Sequence, residues 1–322
     1  MEQPRGALTL QRALAAAFLT AALCAAAIER RSPLMACVRE ERPWPFWLAA
    51  RTAGAVPIVH LGIYHPVPRA LTLVRLPEQL RLSGKVTVGR AYIDALRASD
   101  DESSAERAVE DLAQEKISSL SLEPVRWEGA GRLTADFLAA EEEENEPAVE
   151  VARALRDRTN SPRAWALLLR GAARGLARGD RAAADPLLFA LETRRLDPRR
   201  LAPALLPEDA AAPSFLARVL GPQLPLDDDR TVVVEVLNAT SRPGLAAQAS
   251  KMLRSKGVDA MPLATAPRSR ARTMVYDRTG DFAKAARVRE ALDCPTAAAA
   301  TRVDALRGVD VSIEMGEDCA DF

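Results

Sequence analysis

Apolar residues fall along this chain in three different rhythms. The first is a continuous stretch, Ala13 to Ile28, interrupted only by Thr20 and preceded by Arg5 and Arg12. At about 1.5 Å of helical rise per residue it spans roughly 24 Å, less than the ~30 Å of a bilayer core unless flanking residues join it. That pattern reads as a signal peptide or an N-terminal membrane anchor over residues 1–33. Ala25-Ala26-Ala27 offers small residues for cleavage, whereas Glu29-Arg30-Arg31 places charge on the side to be translocated.

The second rhythm is one of short runs. Ile58–Tyr64 and Ala70–Leu76, separated by His65-Pro66-Val67-Pro68-Arg69, predict two neighbouring strands joined by a proline-rich turn. The preceding segment 39–57, with Pro43, Trp44, Pro45, Trp47 and Pro57, reads as a lead-in packed on a domain surface. Helices are expected over 89–96 and over 105–117, the second capped by Ser104 and buried through Ala108, Val109, Leu112 and Ile117. The acidic run Glu141–Glu144, extended by Glu146, reads as a solvated loop or helix end, because like charges at this density repel. Alanine- and leucine-rich stretches at 149–156, 162–176 and 181–193 predict a helical second half. Prolines then punctuate 201–229, which reads as a linker.

The third rhythm begins with Thr231-Val232-Val233-Val234-Glu235-Val236-Leu237, the composition of a buried strand. Asn238 to Gly244 turns the chain, and a helix is expected over 245–255, stopped by Gly257. Short strands at 258–263 and 272–276, a helix at 281–292 and a last strand at 309–315 complete a βαββαβ order. The fold class is therefore α/β in two domains, 34–206 and 230–322, joined by a linker at 207–229.

Charge changes this picture by exclusion. Forty-four Lys and Arg balance 44 Asp and Glu, so the net charge is zero, and the field that draws proteins to nucleic acid is missing. The four cysteines, Cys24, Cys37, Cys294 and Cys319, have no CxxC spacing, and only His60 and His65 could complete a metal set, so no zinc site is expected. Cys294 and Cys319 both lie in the C-terminal module, where they form either a disulfide or two unpaired thiols. The histidines lack a nearby nucleophile and an orienting acid, and a core or strand-edge role suits both. No phosphate-binding glycine loop is present, and no cofactor is expected.

Several spaced features of the last ninety or so residues resemble the LytR C-terminal domain of bacterial cell-envelope proteins. They are Val232–Asn238, a Thr/Ser turn, Gly244-Leu245-Ala246 opening a helix, Lys256-Gly257-Val258 closing it, and Asp310–Gly316 followed by Asp318. The resemblance implies an extracytoplasmic module. Asn238, Thr240 and Gly244 are its candidate binding turn, with turn chemistry as the competing role. In that setting such a module often follows a LytR-CpsA-Psr domain, which transfers lipid-linked glycopolymers to peptidoglycan with magnesium, acidic residues and arginines.

Leu71–Pro77, Lys85–Tyr92 and Ala105–Lys116 resemble the first half of that transferase domain, but Glu78-Gln79 stands where it has Arg-Asp. A pyrophosphate needs forked cationic donors at fixed positions, and a glutamate there reverses the local sign. Arg75, Arg81, Lys85 and Arg90 are the substitute cations available. The reading is a degenerate, non-catalytic LytR-CpsA-Psr-like domain within a membrane-tethered, extracytoplasmic envelope protein. Its expected partners are cell-wall glycan or an envelope protein, and the membrane through the N-terminal segment. The alternatives are a divergent glycopolymer transferase and a cytoplasmic helical adaptor.

Overall fold

The computed structural model describes residues 26–51, 56–122, 124–136, 161–194, 196, 200–208, 210–221 and 231–319. The N-terminal apolar stretch before residue 26, the acidic run, the helix expected at 149–156 and the end of the expected linker lie outside them. Among the described residues no helix is long and apolar enough to cross a membrane.

The chain is mixed α/β, and ten of the twelve strands among the described residues join in one sheet. In chain order the elements are α1 (Pro33–Arg39), β1 (Trp44–Arg51), β2 (Ile58–His65), β3 (Ala70–Arg75), β4 (Arg81–Ser83), β5 (Val86–Thr87), α2 (Val88–Ser99), α3 (Glu102–Leu120) and β6 (Gly131–Asp136). Then come α4 (Pro162–Ala177), α5 (Asp185–Thr193), β7 (Leu201–Leu205), α6 (Ala212–Leu220), β8 (Val233–Asn238), α7 (Leu245–Ser255), β9 (Asp259–Thr265), β10 (Met274–Asp277), α8 (Phe282–Ala291), β11 (Ala298–Thr301) and β12 (Val311–Met315). The sheet order is β6-β1-β2-β3-β7-β11-β10-β12-β8-β9, and β4 and β5 form a separate small hairpin.

The N-terminal half is three-layered because its strands alternate between two apolar faces. Trp47, Leu61, Ile63, Val74 and Leu76 pack with Ala105, Val109 and Ile117 of α3 and with Phe215 and Leu216 of α6. On the other face Trp44, Phe46, Leu48, Tyr64, Leu71 and Leu73 pack with Leu34 of α1 and Phe189 of α5. In the C-terminal half both α7 and α8 cover one face, through Leu245, Ala249, Leu253, Ala285 and Val288 against Val234, Val236, Val275 and Ile313.

Four expectations need correction. The segment read as a surface lead-in forms β1, whose Trp44, Phe46, Trp47 and Leu48 are among the most buried side chains. Pro45 is tolerated there because pairing with β6 starts only at Phe46. The segment read as a linker contains β7 and α6. The C-terminal order is βαββαββ, since the alanine run 298–301 forms β11, parallel to β10. The cap of α3 is Asp101, whose carboxylate accepts the Ser104 N–H at 2.9 Å, and the helix starts three residues before the expected position.

One aromatic cluster fixes the geometry of the N-terminal half. Phe46 faces Gly62 on β2 and Gly131 on β6, and its ring lies over the glycine on β2. With no Cβ beneath it, the ring settles against Trp44 at 5.1 Å and Phe189 at 4.8 Å between centroids. A Cβ on Gly62 would overlap the Phe46 ring. Gly62→Ala is therefore expected to destabilise the protein by about 1–3 kcal/mol through overpacking, read as a lower urea midpoint with an unchanged slope.

Candidate functional site

The C-terminal ends of β8, β9 and β12 lie together, because β12 and β9 each run parallel to β8. Three connections converge there: 239–244 leading into α7, 266–273 leading into β10, and the chain after β12. In parallel sheets this end is where loops gather without competing for ladder hydrogen bonds, and it is the usual place for a ligand.

The first connection is held by its own side chains. Asn238 Oδ1 accepts the Thr240 N–H at 3.0 Å and the Thr240 hydroxyl at 2.8 Å. Asn238 Nδ2 donates to the Arg242 carbonyl at 2.6 Å, and Arg242 N–H donates to Thr240 Oγ1 at 3.1 Å. Gly244 adopts φ +84° at the helix entrance, a conformation that only glycine takes without strain. Asn238 and Thr240 thus shape the turn, and Ser241, Arg242, Pro243 and Gly244 are the residues it exposes.

The other two connections are stitched to the first. Ala266 N–H donates to Asn238 O at 2.7 Å, Arg270 N–H to Ala239 O at 2.8 Å, and Glu317 N–H to Arg270 O at 3.0 Å. Asp318 Oδ1 accepts both the Thr273 N–H at 2.7 Å and its hydroxyl at 2.8 Å, while Gly316 N–H donates to Thr273 Oγ1. Gly316 is required for close approach, since a Cβ there would meet the Arg272 and Thr273 backbone. Cys319 is joined to Cys294 in a disulfide with Cα atoms 5.8 Å apart.

The rim built this way carries four arginines beside the exposed acids Glu317 and Asp318. Arg242 and Arg268 are exposed, and Arg270 and Arg272 are half-buried. Arg270 pairs with Glu314 and sits over the Tyr276 ring, 5.9 Å from its centroid. Beside it, on the sheet face opposite α7 and α8, Glu235, Ser312 and Tyr276 are cross-strand neighbours. Ser312 Oγ donates to Glu235, Arg307 pairs with Glu235 at 2.5 Å, and Arg278 Nε donates to Ser312 Oγ at 2.7 Å. Arg278 also lies 5.0 Å over the Tyr276 ring. These buried groups satisfy one another and stiffen the floor of the rim. The sequence held a signal for them: Glu235 breaks an apolar run, and Ser312 and Glu314 recur at period two in β12.

The middle of the chain does not gather its cations. Arg75 shares the strand face of Leu71 and Leu73, opposite His60. Arg90 is on α2, which packs on the other face, and pairs with Asp94 at 2.8 Å. Arg81, Lys85, Glu78 and Gln79 are exposed. His60 and His65 are buried in β2, and desolvation, reinforced at His60 by Arg75, lowers each to about 4. Glu110 on α3 is pushed up to about 7 by burial despite Arg132 at 3.0 Å. Among the described residues one group of three side chains could share a metal ion, Cys294, Asp318 and Cys319, and its two sulfurs are joined to each other.

Residues 231–318 match the family described as LytR cell envelope-related transcriptional attenuator, which covers the whole C-terminal half of the sheet and its rim. No curated protein and no solved structure matches the chain. The C-terminal module is therefore a LytR C-terminal domain, and the protein is related to the cell envelope.

Two outcomes follow from this geometry. The disulfide closes a loop with a sequence separation of 25, so Cys294→Ser is expected to lower stability by about 3 kcal/mol. A non-reduced peptide map should contain the Cys294–Cys319 linked pair. Glu110 has a folded value above its ordinary 4.5, so its stabilising contribution is full below 4.5 and lost as pH rises through about 7. Glutamine mimics the neutral carboxyl, so in urea titrations Glu110→Gln should match the parent most closely below the ordinary carboxylate range, and the parent should lose stability relative to the variant as pH rises through about 7.

Proposed function

We propose that this is a membrane-tethered, extracytoplasmic envelope protein whose C-terminal rim binds the anionic glycan of the cell wall, without catalysing its transfer. The observation that carries this reading is the arginine-bearing rim at the ends of β8, β9 and β12, in a module matched to an envelope family. Guanidinium groups recognise phosphate and carboxylate through paired N–H donors, which suits a repeating acidic polymer. The Asn238 turn and the disulfide hold the loops in place before binding, which reduces the ordering cost of recognition.

Support for a binding rather than a transferase role comes from the middle of the chain. Glu78-Gln79 replaces the Arg-Asp of the LytR-CpsA-Psr resemblance, and Arg75 and Arg90 lie on opposite faces of the sheet. Residues 34–206 are read as a degenerate domain of that kind and 1–33 as the tether.

Co-sedimentation of the purified full chain with isolated peptidoglycan sacculi tests the proposal. Saturable retention is expected, weakened several-fold in Arg242→Ala/Arg268→Ala, whose positions are exposed and leave the fold intact. Absence of retention, or retention indifferent to that double substitution, would refute the rim as a glycan site and direct the search to a protein partner. Magnesium-dependent pyrophosphate release from a polyprenyl-linked donor would refute the non-catalytic reading.

A further inference from the structure

We infer that α4 is a second, peripheral contact with an anionic membrane surface, separate from the glycan rim and independent of the reading above. The helix buries only a narrow stripe, Ala164 and Ala172 with Trp165, Leu168 and Gly175 partly covered, where it leans on α5. Most of its circumference faces outward. There Arg163, Arg170 and Arg174 stand at i, i+7 and i+11, one face of a 3.6-residue helix, and Arg178 extends them at the C-cap.

Leucine lies among and beside these cations. Leu167 is 60% exposed within the arginine stripe. Leu169 and Leu176, 55% and 38% exposed, form a second stripe seven residues apart, roughly 130° around the helix from the arginines, with exposed Ala166 and Ala173 between. From Pro162 to Gly179 the sequence contains no Asp or Glu. In a chain with zero net charge, this concentration of arginine and exposed leucine on one helix is a local departure from the rest of the surface.

The two components together select the partner. A soluble polyanion would engage the arginines but leave Leu167, Leu169 and Leu176 in water. An anionic bilayer engages both: guanidiniums reach lipid phosphates while their stems and the leucines enter the headgroup and acyl boundary. Glycines at 171 and 175 keep the helix slim, and Gly175 rests against Ala183.

The test uses the full chain with vesicles of phosphatidylcholine, alone or mixed with phosphatidylglycerol. Insertion of an N-terminal tether would be common to both vesicle types, so the readout is the increment caused by anionic lipid, together with hydrogen-exchange protection across 162–177. Arg163→Gln/Arg170→Gln/Arg174→Gln is expected to lower that increment by about tenfold or more. Leu169→Gln/Leu176→Gln should lower it while leaving circular dichroism unchanged. Equal binding to both vesicle types, no protection of α4, or an increment unmoved by either variant would overturn the inference. So would a soluble phosphate polymer that protects α4 as well as the vesicles do. Retention on sacculi is expected to survive both variants, which keeps a failure here distinct from a failure at the rim.

Discussion

Continuity of the sheet depends on how β7 divides its backbone between two neighbours. It runs parallel to β3 over Leu201 to Leu205, and Leu206 N–H donates to Arg75 O at 3.0 Å, which directs the even-numbered N–H groups toward β3. The odd-numbered residues then face β11, and one of them is Pro203, which has no N–H to give. The seam to β11 is correspondingly sparse, a single register pair between Ala204 and Thr301. Side chains reinforce what the ladder lacks: Arg218 of α6 donates to Thr279 O at 2.6 Å, and Val303 packs against the N-terminal core. A proline in the interior of a sheet is tolerated here because its missing donor falls on the junction between two halves that each have their own core.

The same proline explains why part of the fold was hidden in the sequence. Pro203, Pro207 and Pro213 made 201–229 look like a linker, although β7 and α6 lie within it. Burial on both sides overrode local propensity, and nothing in a single sequence announces which strands will be neighbours. The alanine run of β11 is a similar case: Ala298, Ala299 and Ala300 have little preference for strands, but small side chains fit between β7 and β10 where helices press from one side. Strands with ordinary signatures were legible, since β2, β3, β8 and β12 coincide with the apolar runs that predicted them. The helices of the C-terminal half were legible too, because Gly244 and Gly257 mark both ends of α7.

Of the candidate site, the turn at Asn238, Thr240 and Gly244 could be read in advance as a shaped loop, because Asx chemistry is local. The arginines could not, since Arg242 and Arg268–Arg272 meet only through the parallel order of β9, β8 and β12. The polar positions of the floor, Glu235 and Ser312, stand out in their strands, but their meeting with each other and with Arg278 needed the pairing of β12 with both β8 and β10, which no local pattern encodes.

These placements separate the work of the two halves on physical grounds. Burial shifts several ionisable groups of the N-terminal core toward their neutral forms: both histidines are pressed down, and Glu110 and Asp185 are pressed up, Asp185 to about 6 while its oxygens accept from Ser32 and Leu34. These shifted groups are spread over β2, α3 and α5 rather than concentrated at one point. The C-terminal half pairs guanidiniums with carboxylates, Arg270 with Glu314 and Arg307 with Glu235, beneath the arginines exposed at its rim. Its loops are tied to one another by backbone bonds and a disulfide, so recognition there requires no closing motion. The proposed reading needs only this much of the rim, since a repeating, extended anionic ligand can lie on fixed arginines without being enclosed.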